Sequence, residues 1–175
     1  YIEHLTSKGS RGTEYQKEPR DYAFKQTRKY RTALDIGGNI GFWSRDMCQR
    51  FERVEIFEPD PSNIECLKIN LEGHDNYRLH EIGLGNKNTH KEFYKSHVSS
   101  GAHTFNPAHI PAGGITKSVL EIKTLDSFNL TNVDFIKIDT QGSELEILQG
   151  AQQTLIENKC VVNVEIEQKN PEQVK

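Results

Sequence analysis

Short apolar runs alternate with helical spacing of apolar residues through most of the chain after residue 31. Apolar runs that end at glycine or proline predict buried strands, and apolar residues three or four positions apart predict amphipathic helices. Strands that alternate with helices at this spacing form parallel sheets with right-handed crossovers. The sequence therefore predicts a doubly wound α/β fold with a mostly parallel sheet. The predicted strands are residues 32–36, 54–57, 77–82, 133–139 and 160–166, and the predicted helices are residues 40–51, 64–71 and 144–155.

Two stretches lack this regularity. Residues 1–31 are polar and carry charges of both signs, which indicates a loosely ordered arm or, alternatively, a helix or lid over the site. Between residues 86 and 131 the pattern allows two strands, 91–94 and 118–125, with a long loop at 99–114 between them. A loop of that length inside a compact domain is usually functional.

The main predicted domain spans residues 32–175 and ends soon after its fifth strand. A sheet of this class ordinarily continues with another helix and further strands. We therefore expect the domain either to be truncated after the fifth strand or to build that edge differently. The valines of the fifth strand predict a central position for it in the sheet.

The composition limits the classes of partner and the cellular compartment that we expect for this chain. The chain has 175 residues, enough for one domain with a buried core, and 34% of them are hydrophobic. No apolar run approaches the roughly 18 residues of a membrane-spanning helix. The net charge of −3 gives no general attraction to nucleic acid, so we do not expect a nucleic-acid partner. The three cysteines are far apart and odd in number, which argues against a disulfide framework and favours a reducing, cytoplasmic compartment.

The turn after the first strand is the first candidate for ligand binding. Its glycines allow the backbone to approach a ligand closely, and the N–H groups at the start of the next helix favour a carboxylate. The glycine spacing differs from the G-x-G-x-x-G of dinucleotide sites. S-adenosylmethionine (SAM) carries both an ammonium and a carboxylate group, so it suits an acid beside a helix N-terminus. A nicotinamide or flavin site and a purely structural turn are the alternatives. The predicted cofactor contacts here are Asp35, Gly37, Gly38, Asn39 and Gly41.

Glu58 ends the second predicted strand and is followed by Pro59, which restricts the backbone. A carboxylate at this place can accept hydrogen bonds from both hydroxyls of an adenosine ribose. This role fits NAD as well as SAM, and the alternative is a solvated glutamate at a strand end. Glu58 and Pro59 belong to the predicted cofactor site, and Gly83, in a turn predicted after the third strand, is its last residue.

Two acids near the end of the fourth strand are the predicted catalytic residues, Asp139 first and Glu144 second. A carboxylate there can orient an acceptor hydroxyl toward a donor methyl group or accept its proton. Alternatively, Asp139 only caps the next helix and Glu144 only complements its dipole. His103, in the predicted loop, is a third candidate. The seven histidines have no zinc-type spacing, and no metal site is predicted; a divalent cation held by Asp139 and Glu165 is conceivable, but nothing in the sequence requires it.

Several of these motifs occur together in the order typical of one family. The chain resembles the FkbM family of SAM-dependent methyltransferases over roughly residues 30–168. This resemblance implies a class I methyltransferase fold, which is Rossmann-like, and methylation of a hydroxyl on a sugar, glycan or natural product. Gln141 stands where many members have glutamate, and residues 99–104 fall where members have a variable segment over the site. The motifs that carry the resemblance are residues 35–41, residues 57–61 with Leu67, Asn70 and Leu71, residues 124–127, and residues 134–142 with Glu144, Leu148 and Gly150.

Two other functions remain open at this point. One is an enzyme that methylates RNA, and the other is a methyltransferase-like module that serves only in protein interaction. The resemblance identifies the cofactor, SAM, more firmly than the acceptor. The sequence predicts a small-molecule or glycan acceptor.

Overall fold

The computed structural model describes residues 16–97, 103–106 and 114–165. Five of its eight strands form one parallel sheet in the order β3-β2-β1-β7-β8, and the other three form a smaller sheet in the order β4-β6-β5. The predicted parallel α/β sheet is thereby confirmed. The strands are β1 (Thr32–Ile36), β2 (Arg53–Phe57), β3 (Tyr77–His80), β4 (Gly83–Leu84), β5 (Thr89–Ser96), β6 (Ile115–Lys123), β7 (Val133–Ile138) and β8 (Val161–Val164).

Neighbouring residues of each central strand point to opposite sides of the parallel sheet, and helices pack against both sides. Ala33 of β1 belongs to one buried cluster with Trp43 and Phe135, whereas the adjacent Leu34 belongs to a second cluster with Ile147. None of the helices in the described ranges is long and apolar enough to cross a membrane. The helices are α1 (Lys17–Lys25), α2 (Phe42–Cys48), α3 (Pro61–Asn70), α4 (Glu144–Gln149) and α5 (Gln152–Asn158), with a short 3-10 helix at Leu125–Phe128.

The irregular middle of the chain forms the smaller sheet. β5 and β6 pair antiparallel from Thr89 opposite Ile122 to Ser96 opposite Ile115. β5 therefore extends beyond the predicted range 91–94 at both ends, whereas β6 begins before the predicted range 118–125 and ends before residue 125. The predicted turn at Gly83 is wrong. Gly83–Leu84 is the strand β4, which pairs parallel with β6.

Two further sequence predictions need correction. Residues 144–155 form two helices rather than one, and the break falls at Gly150. A Cβ on Gly150 would lie 2.0 Å from the carbonyl oxygen of Gly85, so the chain turns where two backbones touch. The valine-rich strand β8 lies at the edge of the described parallel sheet and not at its centre.

Part of the polar N-terminal segment is a packed helix. Arg20 of α1 is buried and its Nε lies 2.6 Å from Asp46 Oδ2. Phe24 makes edge contacts with Trp43 and Phe135, their ring centroids lying 5.8 and 5.1 Å from its own. The helical alternative therefore holds for Lys17–Lys25, while residues 1–15 lie outside the described part of the chain.

Candidate functional site

A cleft opens at the carboxyl ends of the parallel strands. The strand order reverses between β1 and β7, which is where open α/β sheets bind their ligands. The empty space in the cleft, including its open mouth, is about 740 Å³. Its walls come from the turn after β1, the end of β2, the region of β4, the segment 103–106 and the loop after β7. The residues that line it are Ile36, Gly37, Asn39, Phe57, Glu58, Pro59, Asn63, Ile82, Gly83, Leu84, Phe93, His103, Phe105, Asp139, Thr140, Gln141, Ser143, Ile147 and Glu165.

The turn after β1 is anchored to the neighbouring strand by its backbone. The amides of Gly37 and Gly38 both donate to the carbonyl oxygen of Phe57, at 2.9 and 3.1 Å. Gly37 has a φ of +78°, and a Cβ there would lie 1.9 Å from the carbonyl oxygen of Asp139. Glycine is required at this position because the backbone is left-handed and touches the chain that follows β7.

Glu58 and Asn39 bring the two halves of the predicted cofactor site together. The amide of Asn39 donates to Glu58 Oε2 at 2.7 Å, and the amide of Asp60 donates to Glu58 Oε1 at 2.9 Å. Glu58 is buried, and burial raises the pKa of its carboxyl to about 7 although these donors oppose the shift. Oε2 retains a lone pair for a donor from a ligand.

Asp35 does not line the cleft. Its carboxylate is fully buried and accepts a hydrogen bond from Ser44 Oγ at 2.5 Å. On its other side, Asp35 Oδ1 lies 3.1 Å from the ammonium of Lys137, its register partner on β7. The acid predicted to meet a ligand ammonium is therefore paired with an ammonium of the chain itself.

Lys137 is the main residue that the sequence analysis missed. Its Nζ donates to the carbonyl oxygen of Gly37 at 2.7 Å and lies 3.8 Å from Asp139 Oδ2, in addition to the contact with Asp35. Burial alone would lower the pKa of this ammonium, but the carboxylates of Asp35 and Asp139 raise it above its usual value. A lysine between two isoleucines of an apolar strand was the signal available in the sequence, because such a residue is rarely buried without a partner.

Asp139 stands at the end of β7 and lines the cleft. Gln141 Nε2 donates to Asp139 Oδ1 at 3.2 Å. Glu165 follows β8 on the neighbouring strand, and its Oε2 accepts a hydrogen bond from Gln16 at 3.1 Å. Partial burial, reinforced by the charge of Asp139, raises the pKa of the Glu165 carboxyl. Acidic oxygen atoms therefore gather at this end of the cleft, beside the Lys137 ammonium.

Glu144, the second predicted catalytic acid, does not line the cleft. Its Oε1 accepts from the amide and the hydroxyl of Thr140 at 2.9 and 3.0 Å, and its Oε2 accepts from the amide of Gly142 at 3.0 Å. The buried carboxylate therefore closes the loop that follows β7. These hydrogen bonds are additional to a simple interaction with the helix dipole.

The predicted site residues thus fall into two groups. Gly37, Asn39, Glu58, Pro59, Gly83 and Asp139 line the cleft, whereas Asp35, Gly38, Gly41 and Glu144 do not. Gly38, for example, faces the core rather than the cleft, because a Cβ there would lie 2.6 Å from the side chain of Ile56.

The segment 103–106 forms the outer wall of the cleft. Thr104 pairs with Tyr94 of β5, and its Oγ1 donates to the carbonyl oxygen of Gln141 at 2.7 Å. His103 is nearly buried, its Nε2 lies 3.3 Å from the carbonyl oxygen of Ser96, and burial lowers its pKa. The loop residues 99–102 lie outside the described part of the chain. Within the described ranges, no group of three or more His, Cys, Asp or Glu side chains is arranged to hold a metal ion.

A protein-family model matches most of the sequence. The model of the methyltransferase FkbM domain matches residues 35–175 of the chain. The match begins at Asp35 and includes every residue that lines the cleft, from Ile36 to Glu165.

Three curated proteins are similar in sequence. Methyltransferase 1 of Beauveria bassiana is 24% identical over 142 residues, which are 67% of this chain and 57% of that protein. The 2-O-methyltransferase NoeI of Sinorhizobium fredii is 25% identical over 146 residues, 73% of this chain and 60% of that protein. The hexuronic acid methyltransferase AglP of Haloferax volcanii is 30% identical over 126 residues, 66% of this chain and 48% of that protein. The chain therefore spans roughly half to three-fifths of the length of these relatives.

Two solved structures share the fold. The crystal structure of methyltransferase FkbM from Methylobacillus flagellatus has a TM-score of 0.53 and 18% identity, covering 93% of this chain and 46% of that one. The structure of precorrin 8w decarboxylase from Methanobacterium thermoautotrophicum has a TM-score of 0.56 and 18% identity, covering 90% of this chain and 67% of that one. At these identities the likeness concerns the fold alone.

Proposed function

Because this chain belongs to the FkbM family of methyltransferases, we propose that it transfers the methyl group of SAM to a hydroxyl of a sugar, glycan or natural product. The named activities of NoeI, a 2-O-methyltransferase, and AglP, a hexuronic acid methyltransferase, favour a sugar hydroxyl as the acceptor. The chain covers only part of these relatives, so their substrates serve here as a guide to the chemical class.

The joined pair of Asn39 and Glu58 carries this proposal. A turn after one strand and an acid after the next bind a single nucleoside only if both face one cleft, and the 2.7 Å hydrogen bond between them meets that condition. In the proposed complex the free lone pair of Glu58 Oε2 accepts from a ribose hydroxyl, while Pro59 and Ile82 offer apolar surface to the adenine.

Two further features support the fit of SAM to these residues. The side-chain oxygen of Asn39 is buried and has no hydrogen-bond partner among the described residues, so it can accept from a ligand without breaking an existing bond. At the other end, Glu165 provides carboxylate oxygens that suit the ammonium of the methionine part. This assignment replaces Asp35, whose charge Lys137 already balances.

Bound SAM supplies an electrophilic methyl group, and we assign the remaining work to the chain. Asp139 orients the acceptor hydroxyl and accepts its proton as the new oxygen–methyl bond forms and the sulfur–methyl bond breaks. Phe93 and Phe105 exclude water from the cleft, their ring centroids lying 4.8 Å apart. Alignment of the two reactants can supply several kcal/mol of barrier lowering.

The first experiment is a calorimetric titration of the chain with SAM and with its demethylated product. Saturable binding with one site supports the proposal, and absence of binding to the folded chain removes it.

The second experiment incubates the chain with methyl-labelled SAM and separate fractions of glycans, lipids, small metabolites and RNA. Label in the glycan or small-molecule fraction supports a sugar or natural-product acceptor, whereas label confined to RNA replaces it with the RNA-modifying alternative. Binding of SAM without transfer to any fraction favours a non-catalytic module.

A further inference from the structure

We propose that Lys137 is a positioning residue that holds the turn after β1 (residues 37–41) and Asp139 in a single arrangement. The proposal extends the function proposed above, in which that turn binds SAM and Asp139 acts on the acceptor. Its basis is one buried ammonium near three oxygen atoms: the carbonyl oxygen of Gly37 at 2.7 Å, Asp35 Oδ1 at 3.1 Å and Asp139 Oδ2 at 3.8 Å.

The three oxygen atoms belong to three different parts of the site. Asp35 lies within β1, Gly37 begins the turn, and Asp139 follows β7. An ammonium has three N–H donors and no acceptor, so one lysine can serve all three positions at once. A lysine that served only to neutralise Asp35 would not need the short hydrogen bond to the Gly37 carbonyl.

The contact with Gly37 completes the anchoring of the turn. Its amides are already tied to β2 through the carbonyl oxygen of Phe57. Lys137 ties its carbonyl to β7, on the opposite side. The peptide after Gly37 is thereby fixed from both directions, and the amide of Asn39 is aimed at Glu58.

The same ammonium faces Asp139, so the placement of this carboxylate and the shape of the turn depend on one side chain. The carboxyl groups around it are Asp35, Asp139 and, at longer range, Glu58. Glu165 adds a further acid beside Asp139. Loss of the ammonium would leave this acidic cluster without its buried counter-charge and would let the carboxylates move apart.

The test compares three variants of the chain. The double variant Lys137→Met/Asp35→Asn removes the ammonium together with its buried counter-charge, so that no unpaired charge is left at Asp35. Asp35→Asn alone keeps the ammonium and its contacts with Gly37 and Asp139. The matched control, Arg31→Met/Asp134→Asn, removes an ion pair of 2.6 Å at the opposite end of β7, away from the cleft.

Two measurements are made on each variant. Amide hydrogen exchange without any ligand reports on the turn, and calorimetry with SAM reports on binding. In Lys137→Met/Asp35→Asn we expect the amides of Gly37, Gly38 and Asn39 to exchange at least tenfold faster and SAM affinity to fall at least tenfold. The control should stay within threefold of the unaltered chain in both measurements, and Asp35→Asn should change each of them by less than the double variant does.

Wild-type exchange rates at the turn in the folded double variant would overturn the proposal, since Lys137 would then only balance Asp35. If the double variant does not fold, Asp35→Asn decides: an unchanged turn supports the role of Lys137, and a tenfold rise in exchange assigns the anchoring to Asp35. If the unaltered chain binds no SAM, the proposed function fails, whereas the exchange comparison still tests Lys137. For any acceptor that the unaltered chain methylates, the double variant should also be at least tenfold slower at saturating SAM, an effect that weaker cofactor binding alone would not produce.

Discussion

The backbone amide of Asn39 and the carboxylate of Glu58 are 2.7 Å apart, although the two residues follow different strands. This hydrogen bond makes the turn after β1 and the end of β2 a single surface of the cleft. Glu58 acts within that surface both as an internal partner for the turn and as the acid proposed to bind the ribose. These two tasks can be separated experimentally, because glutamine keeps the shape of the side chain and loses its charge.

Glu58→Ala should weaken SAM binding by at least tenfold. The change removes the proposed ribose acceptor and leaves the buried amide of Asp60 and the partly buried amide of Asn39 without their partner, which costs about 1–3 kcal/mol for a buried group. Calorimetry measures the effect, and Glu81→Ala, an exposed glutamate paired with Lys68, is the control. Unchanged affinity in Glu58→Ala would remove the ribose assignment.

Folding stability should reveal the buried charge of Glu58 through its pH dependence. The pKa of this carboxyl is about 7 in the folded chain and has its usual value, near 4.5, in the unfolded chain, so the folded state holds the proton more tightly. Its contribution to stability is therefore fully present below about pH 4.5 and is lost as the pH rises through about 7. Glu58→Gln removes this dependence, so the difference in unfolding free energy between Glu58→Gln and the unaltered chain should shift by about 3 kcal/mol in favour of the variant between pH 4.5 and 8. Urea denaturation at several pH values measures the shift, and a difference that does not vary with pH would show that the pKa of Glu58 is not raised in the folded chain.

Asp139→Asn should lower methyl transfer while leaving SAM affinity within a few-fold. Asparagine occupies the same volume and can still hold the acceptor hydroxyl, but it cannot take up its proton, and such a proton acceptor typically contributes 10²–10⁴-fold to rate. Turnover with labelled SAM at saturating concentration measures the effect on an acceptor identified in the fractionation. Asp134→Asn, at the other end of the same strand, is the control. Full activity of Asp139→Asn would end the catalytic assignment.

The sequence predicted the parts of the site that depend on local chain geometry. The glycines of the turn, Glu58 and Asp139 each follow a strongly patterned strand, and parallel strands bring such positions to one edge. The sequence did not predict the pairing of Asp35, because its partner Lys137 lies 102 positions further along the chain and meets it only through the register of β1 and β7. The sequence also identified Gly83 as a site residue but placed it in a turn. A strand of two residues such as β4 is too short to show a periodic pattern of apolar residues.

The last prediction concerns Glu144, the second catalytic candidate of the sequence, and follows from its contacts in the structure. Because both of its oxygen atoms accept hydrogen bonds from the loop residues Thr140 and Gly142, Glu144→Ala should act on stability before it acts on chemistry. Two partly buried amides would lose their acceptor, so we expect the unfolding free energy to fall by about 2–4 kcal/mol. Glu144→Gln keeps one oxygen as an acceptor, so its unfolding free energy should fall by less than half as much.

Denaturant unfolding measures both changes. The control is Glu146→Ala, on the outer side of α4 and paired with Lys91. For the folded variants, SAM affinity and the pH dependence of transfer should match those of the unaltered chain. A stable Glu144→Gln that has lost transfer would instead restore Glu144 as a proton acceptor.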